Sequence, residues 1–518
     1  MKTLLAGCVV VAVLSLAGGA FGEDWVITEP GVYKLDPGTE YAQTSNRVAG
    51  TVTLESTGDT TAADKIILGG YQQVAKSTTI FNGGFWDFGG GKFNVETTAL
   101  SYRTNIFRNA AVATNISYYT VGDASGMSGW GGGGQYNTTF VTDGAKLYVD
   151  GTLMLSRRLY ESHSALWVTD GGYLYCKGNV TIGDGAMPGD SVQKSGDWLI
   201  ISNATASAKV TGTIQVSSAS NNSGDRHLLV TDGARLDAGA INVGGTSTRS
   251  FNSSFIAGEN SVVTTKYLYL DDRWPQNYGG LESGDKIEIR DGAFVRVTDT
   301  FKSGYSSDNQ PGPRGAKLVI SNGTLSCQVF TTPAARPTLM YHIHGTNSKI
   351  LVNTTFRPFN TMSYAKTEKQ YFYVEHGADY KANFSSYSYD LSRNGNVVVR
   401  EGSTFRFNAL TTGNAYNGAR LNLTNRLDLV ENSVATGGQF CVCGIGNELN
   451  ISNSVMYLTS TAYNDFPNNI SSPIGDATEN GPALSVGGPI RRAGSPSVTN
   501  CWVNLRGTTP KIKVLAGA

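Results

Sequence analysis

Apolar and polar residues alternate along most of this chain in short bursts. In Ala145-Lys146-Leu147-Tyr148-Val149 every second residue is apolar or small. A period of two is that of a β-strand with one face buried. A recurrent dipeptide separates the bursts. Asp143-Gly144, Asp170-Gly171, Asp232-Gly233, Asp291-Gly292 and Asn322-Gly323 are its clearest forms. Weaker relatives, among them Asn82-Gly83, Asn109-Ala110, Glu401-Gly402, Asn453-Ser454, Asn480-Gly481 and Arg506-Gly507, continue the series. Successive marks lie about 28 residues apart, within the range of solenoid repeats. Glycine supplies positive φ, and Asp or Asn tolerates the left-handed region, so each mark reads as a corner between strands.

Two apolar columns emerge when the repeats are aligned on that mark. Two residues before it stand Ile80, Phe107, Val141, Val168, Ile201 and Val230. Four residues after it stand Trp86, Leu147, Leu174, Leu236, Val263 and, further on, Leu484. The period is too short for a four-stranded propeller blade and too rich in strand for a leucine-rich horseshoe. The pattern predicts an all-β chain: a right-handed parallel β-helix solenoid of about 28 residues per coil, in a single elongated domain. Residues 23–47 match the repeat poorly and are assigned to an N-terminal cap, residues 48–518 to the repeats, with an irregular coil near 331–341. Insertions are expected to bulge from corners at Gly126–Gln135, Asp271–Ser283, Ser303–Gly315 and Tyr463–Asn480. Arg506–Val514 reads as one more repeat close to the end of the sequence. The expectation is that end-to-end self-association covers this last coil, or that further chain follows it.

Composition narrows the function classes. Forty-one basic residues balance 41 acidic ones, and only 16% of the 518 residues are charged. That balance argues against a nucleic-acid partner and against docking on anionic lipid. Residues 1–22 carry Lys2, an apolar run from Leu4 to Leu16 and then small residues, which predicts a secretory signal peptide and a secreted or cell-surface location. No later apolar stretch is long enough for a transmembrane helix. Cys176, Cys327, Cys441, Cys443 and Cys501 are too scattered for a disulfide framework, and Cys176 and Cys327 fall in strand patterns as buried small groups. No cofactor is expected.

The corner-plus-strand units Asp232–Val243 (DGARLDAGAINV), Asn322–Val329 (NGTLSCQV) and Arg506–Val514 (RGTTPKIKV) resemble those of right-handed parallel β-helix proteins of the pectin-lyase-like type. More narrowly, they are similar to the repeat-rich passenger and adhesin-like regions of secreted bacterial surface proteins. Polygalacturonase-like members of the wider group would show Asn-Thr-Asp, Asp-Asp, Gly-His-Gly and Arg-Ile-Lys on neighbouring coils. This chain offers Asp271-Asp272, His342-Ile343-His344-Gly345 and Lys511-Ile512-Lys513, too many coils apart to act together, and no Asn-Thr-Asp. His342 and His344 share one side of a strand and read as a surface pair, not as metal ligands. Trp130, Trp274 and Tyr278, with the Tyr-rich stretch Tyr371–Tyr389, are the candidate glycan-stacking residues. No catalytic, cofactor or metal residue is assigned. The sequence thus predicts a structural or adhesin-like solenoid that presents an elongated surface to a glycan or matrix partner. The alternative is a carbohydrate-active β-helix, a lyase, glycosidase or glycan-binding module.

Overall fold

The computed structural model describes residues 24–514 except 74–75, 97–101, 124–135, 158–162, 185–195, 218–222, 245–249, 252, 271–283, 304–315, 332–339, 358–369, 383–388, 391–394, 408, 412–425, 438, 443–447, 459–483 and 487–501. Strands make up nearly all of it. Among the described residues the one helical element is the 3-10 turn Ala62–Asp64.

Each repeat is organised by its corner. An approach strand runs into the corner and an exit strand leaves it, as Tyr136–Val141 and Lys146–Arg157 do around Asp143-Gly144. Asp143 and Gly144 both have positive φ, 52° and 74°. The Ala145 N–H donates to the Thr142 carbonyl at 3.0 Å, which closes a four-residue turn with the φ signature of type I′. The same pair of left-handed residues recurs at Asp170-Gly171, Asp291-Gly292, His376-Gly377 and Glu401-Gly402. The residue after the pair faces into the corner and is small: Ala111, Ala145, Ala293 and Ala378 are all buried. At Gly172 even a Cβ would lie 2.1 Å from the Val141 carbonyl oxygen. Corners also bond to one another, Ala110 N–H to the Asp143 carbonyl and Gly144 N–H to the Asp170 carbonyl.

The chain divides into two compact units: Met1–Ile214 with Ser223–Leu229 and Gly233–Asp237, and Gln215–Asn222 with Val230–Asp232 and Ala238–Ala518. In the first, approach strands Gly31–Leu35, Thr51–Ser56, Thr78–Asn82, Tyr102–Arg108, Tyr136–Val141, Ala165–Val168 and Asp197–Ser202 pair in succession, all parallel. The strand Trp25–Ile27 pairs with Gln43–Asn46, so the ladders already run through residues 25–46. Exit strands form a second parallel ladder. Lys146–Arg157 pairs first with Tyr173–Cys176 and then with Val180–Asp184, so it turns onto a third side part-way along. Crowded glycines mark that bend: a Cβ at Gly151 would sit 1.9 Å from the Ser117 carbonyl oxygen, and one at Gly178 2.3 Å from that of Gly151.

The second unit repeats the plan. Approach strands from Ser254–Ala257 through Lys286–Arg290, Lys317–Ser321 and Met340–His344 to Trp502–Arg506 stack in parallel. So do exit strands from Val262–Leu270 to Lys511–Val514. Short strands Tyr389–Asp390, Ala409–Thr411, Gln439–Val442 and Leu484–Val486 make a further parallel sheet. Both units are parallel β-solenoids, the all-β fold class expected from the corner spacing. Coil length is elastic: side-chain bonds between neighbouring coils join residues 22 apart at Asp428 and Asn450 but 54 apart at Asn450 and Asn504. The segments expected to bulge lie almost wholly outside the described residues; in sequence each follows an exit strand.

The interior columns are those the alternation predicts, with two corrections. Leu147 and Leu174 pair in register, and both are fully buried, as are Phe107, Val141, Val168, Ile201 and Trp86, while Leu236 is 2% exposed. Ile80, however, faces outward. Phe81 is the buried partner of Phe107, because this corner turns at Gly83-Gly84, one residue later than the mark suggests. Leu484 belongs to the further sheet, opposite Phe440, and not to the exit ladder; Asn480-Gly481 lies outside the described residues.

Six positions before the mark, or five at the displaced corner of Ser77, runs a buried column that is polar: Ser77, Arg103, Asn137, Ser164, Asp197 and Arg226 in the first unit, Ser253 and Asp285 in the second. Asp197 and Arg226 form an ion pair at 3.4 Å with both side chains fully buried. Ser156 donates to Asp197 through its hydroxyl and Ser164 through its backbone N–H, and Arg226 donates to the Gly183 carbonyl. Asp285 accepts the Ser253 N–H at 2.9 Å in the way that Asp197 accepts that of Ser164. The carboxylate thus satisfies a buried donor at the start of an approach strand, where the ladder offers none.

Two stability predictions follow from this packing. Gly144→Ala meets open space and pays only for its left-handed φ, a loss of about 1–2 kcal/mol; Gly172→Ala forces a carbonyl to move and lowers the urea midpoint further. Asp197→Asn, which removes the charge facing buried Arg226, destabilises by about 3–5 kcal/mol, whereas Asp197→Leu with Arg226→Met removes the charge imbalance but strands the Ser156 hydroxyl and Ser164 N–H, and so recovers only part of that loss. Urea titrations of the four proteins check both.

Candidate functional site

The approach strands of the first unit hold their outward side chains in rows. Tyr102 pairs with Tyr136 in register, and their rings lie 5.2 Å apart and 4° from parallel. His163 continues the stack, 4.7 Å from Tyr136 at 17°. Tyr102 is 54% exposed and Tyr136 44%, both among the most exposed large apolar side chains described. The row stops at Gly196, where a Cβ would come within 2.8 Å of His163 Nδ1. A parallel row runs through Ile80, Ile106, Phe140 and Trp167, with the last two rings 6.3 Å apart and 22° from parallel. Between the rows stand the outward threonines Thr78, Thr104 and Thr138. Trp198 packs its ring 4.0 Å from that of His227. Burial pushes the His227 imidazole down to about 4, with the nearby Asp225 carboxylate only partly opposing it.

The stacked rings of Tyr102, Tyr136 and His163 face one another along the ladder. Stacked in this way and half-exposed, Tyr102 and Tyr136 turn their edges to solvent. The surface therefore offers hydroxyls and C–H edges repeated at the coil spacing of about 4.8 Å. A neutral chain molecule with alternating hydroxyl and C–H groups is the ligand class that matches it. Each member of the row lies seven positions before its corner mark, a signal that sequence reasoning passed over.

The second unit carries a charged cluster on the outer side of its approach strands. The buried Glu375 carboxylate receives a hydrogen bond from His342 Nε2 and another from Arg400 Nε at 2.6 Å. Glu401 accepts from His376 and stands 4.0 Å from Arg400. Burial raises the Glu375 carboxyl, but the His342 and Arg400 hydrogen bonds outweigh it, and its pKa falls below the ordinary value. Partial burial, then the neighbouring His342, lowers the His344 imidazole. The two histidine rings are 4.8 Å apart on one side of their strand, as expected. Among the described residues no group of three or more His, Cys, Asp and Glu is arranged to hold a metal ion.

Of the Asp-Asp, His and Lys motifs, the structure describes the last two, and it sets them on different sheets. His342 sits on an approach strand and Lys511 on an exit strand, and Asp271 and Asp272 lie outside the described residues. Trp130, Trp274 and Tyr278 also lie outside them, as do Cys443, Cys501 and the Cys441 side chain. Tyr371 and Tyr373 do stack outward on one strand, 5.5 Å apart at 7°. Cys176 and Cys327 are free, buried thiols; burial pushes Cys176 up to about 11 and Cys327 higher still. No helix among the described residues is long and apolar enough to cross a membrane. No protein family, curated protein or solved structure matches the chain. The class that can be stated is therefore structural, a parallel β-solenoid with distinct outer faces.

The His227 shift makes a pH prediction. With a folded pKa near 4 against an ordinary 6.5, the unfolded chain binds the extra proton between those values. The contribution is fully present above pH 6.5 and is lost as the pH falls towards 4. His227→Gln flattens the dependence of the urea midpoint on pH over that window.

Proposed function

We propose that the protein is a non-enzymatic β-solenoid that serves as a secreted surface, matrix or adhesion element and holds a saccharide-bearing surface against one outer sheet face. The observation that carries this reading is the row Tyr102, Tyr136 and His163. The fold needs no aromatic rings there, because the interior columns are complete without them and outward positions only have to be soluble. Aromatic edges flanked by threonine hydroxyls, with few charges nearby, favour a neutral glycan. The signal peptide expected from residues 1–22 supports this reading, since secretion would bring the protein to where such polymers occur.

A second reading, a carbohydrate-active β-helix, draws support from His342. A base oriented by a carboxylate, which is in turn held by an arginine, is an arrangement suited to proton abstraction. The two readings separate in one assay. The purified chain is incubated with insoluble neutral polysaccharides and with uronate polymers, and both retention and new product ends are measured. Retention on a neutral polymer without unsaturated or reducing ends is expected, with Tyr102→Ala plus Tyr136→Ala weakening it about tenfold and His342→Gln leaving it unchanged. Product formation abolished by His342→Gln would overturn the non-enzymatic reading.

A further inference from the structure

We infer that the outer face of the exit strands in the second unit is a docking surface for a linear acidic polysaccharide. This rests on charge placement and is independent of the aromatic row. In-register pairing puts Arg296, Lys381, Arg406 and Lys513 in one outward row, at the level of Thr264, Ser326, Leu351, Thr436 and Tyr457 on the intervening coils. The adjacent row carries Lys349 and Lys511, with Asp379 as its acid. Lys381 and Arg406 are direct register partners, so two like charges stand one coil apart, with the single Asp379 carboxylate beside Arg406 to offset them.

The opposite face of the same unit shows what a self-compensated surface looks like. There Lys286 and Arg290 pair with Glu288, Arg400 with Glu375, and Arg426 with Asp428. On the exit face the corresponding ion pair among the described residues is Arg406 with Asp379, at 4.0 Å. A chain whose total charge is zero thus carries, on the described exit strands of this unit, far more bases than acids.

The neighbouring groups select the kind of polyanion. Lys513 lies over the Tyr457 ring and Lys302 over that of Tyr269, so ammonium groups cover the ring faces on which unpaired bases would stack. Outward threonines such as Thr324, Thr404 and Thr436 supply hydroxyls between the cations. Spaced cations interleaved with hydroxyls match a polymer with one carboxylate or sulfate per sugar or two and free hydroxyls between them.

The test uses the full chain and a triple variant, Lys349→Gln, Lys381→Gln and Lys511→Gln. The control is Lys286→Gln, Lys317→Gln and Arg426→Gln, which removes equal charge from the other face. Binding to polygalacturonate and to dextran sulfate is measured across salt concentrations, beside neutral dextran, single-stranded DNA and phosphatidylserine vesicles. The parent is expected to bind the acidic polysaccharides with affinity that falls as salt rises. The exit-face triple should lose about tenfold at low salt and flatten the slope of log affinity against log salt by about one or more, while the control triple stays near the parent. Equal loss in both triples, no salt-dependent binding by the parent, or tighter binding to DNA or vesicles than to either acidic polysaccharide overturns the inference.

Discussion

The structure depends on a corner that L-residues enter reluctantly. At most described corners two successive residues in the left-handed region, and at others, among them Asn203, Asn260, Asn322 and Asn453, one, turn the backbone sharply enough for approach and exit strands to stack in separate sheets. Glycine takes the second place without penalty, and Asp or Asn takes the first because its side chain tolerates that region. The small residue that follows, Ala145 or Gly172, lets one corner close against the next. Once corners stack, the alternation of period two does the rest. Every second side chain of each strand must enter the bore, and like residues from successive coils meet there.

This explains how much was legible in the sequence. The columns through Leu147 and Leu174, or Val141 and Val168, could be read because the corner dipeptide fixes the register and the alternation fixes the face. Reading failed where the corner itself is irregular. Gly83-Gly84 shifts the turn by one residue and sends Ile80 outward. It also failed for Asp197 and Arg226, which look like ordinary polar residues before a strand. Counting six positions back from each mark would have shown a column of Ser, Asn, Asp and Arg, but an isolated charge in sequence carries no sign of burial. That column gives the bore a directional element that an all-aliphatic interior lacks, since a coil slipped by one residue would break the Asp197 hydrogen bonds.

The surfaces were less legible still. Tyr102, Tyr136 and His163 become neighbours only after segments of unequal length have been spanned, so no local window holds two of them. Whole-chain neutrality likewise conceals the contrast between an approach face that mixes both signs and an exit face that, among the described residues, is mostly basic. The stacked geometry also changes what the aromatics offer. Rings piled along the ladder present a ridge of edges and hydroxyls, so recognition would rest on repetition along the coil direction more than on any one platform.

The junction between an exit strand and the next approach strand, where the larger differences in coil length fall, has a wider meaning for how such a chain can change. Each approach strand is re-registered by its own corner, so material added just before it leaves the bore untouched. Closing a longer excursion costs only about 0.6 kcal/mol per doubling of its length. One flank of the protein can accumulate new sequence almost freely while the opposite flank stays fixed, which separates the residues that are free to diversify from those that hold the coil together.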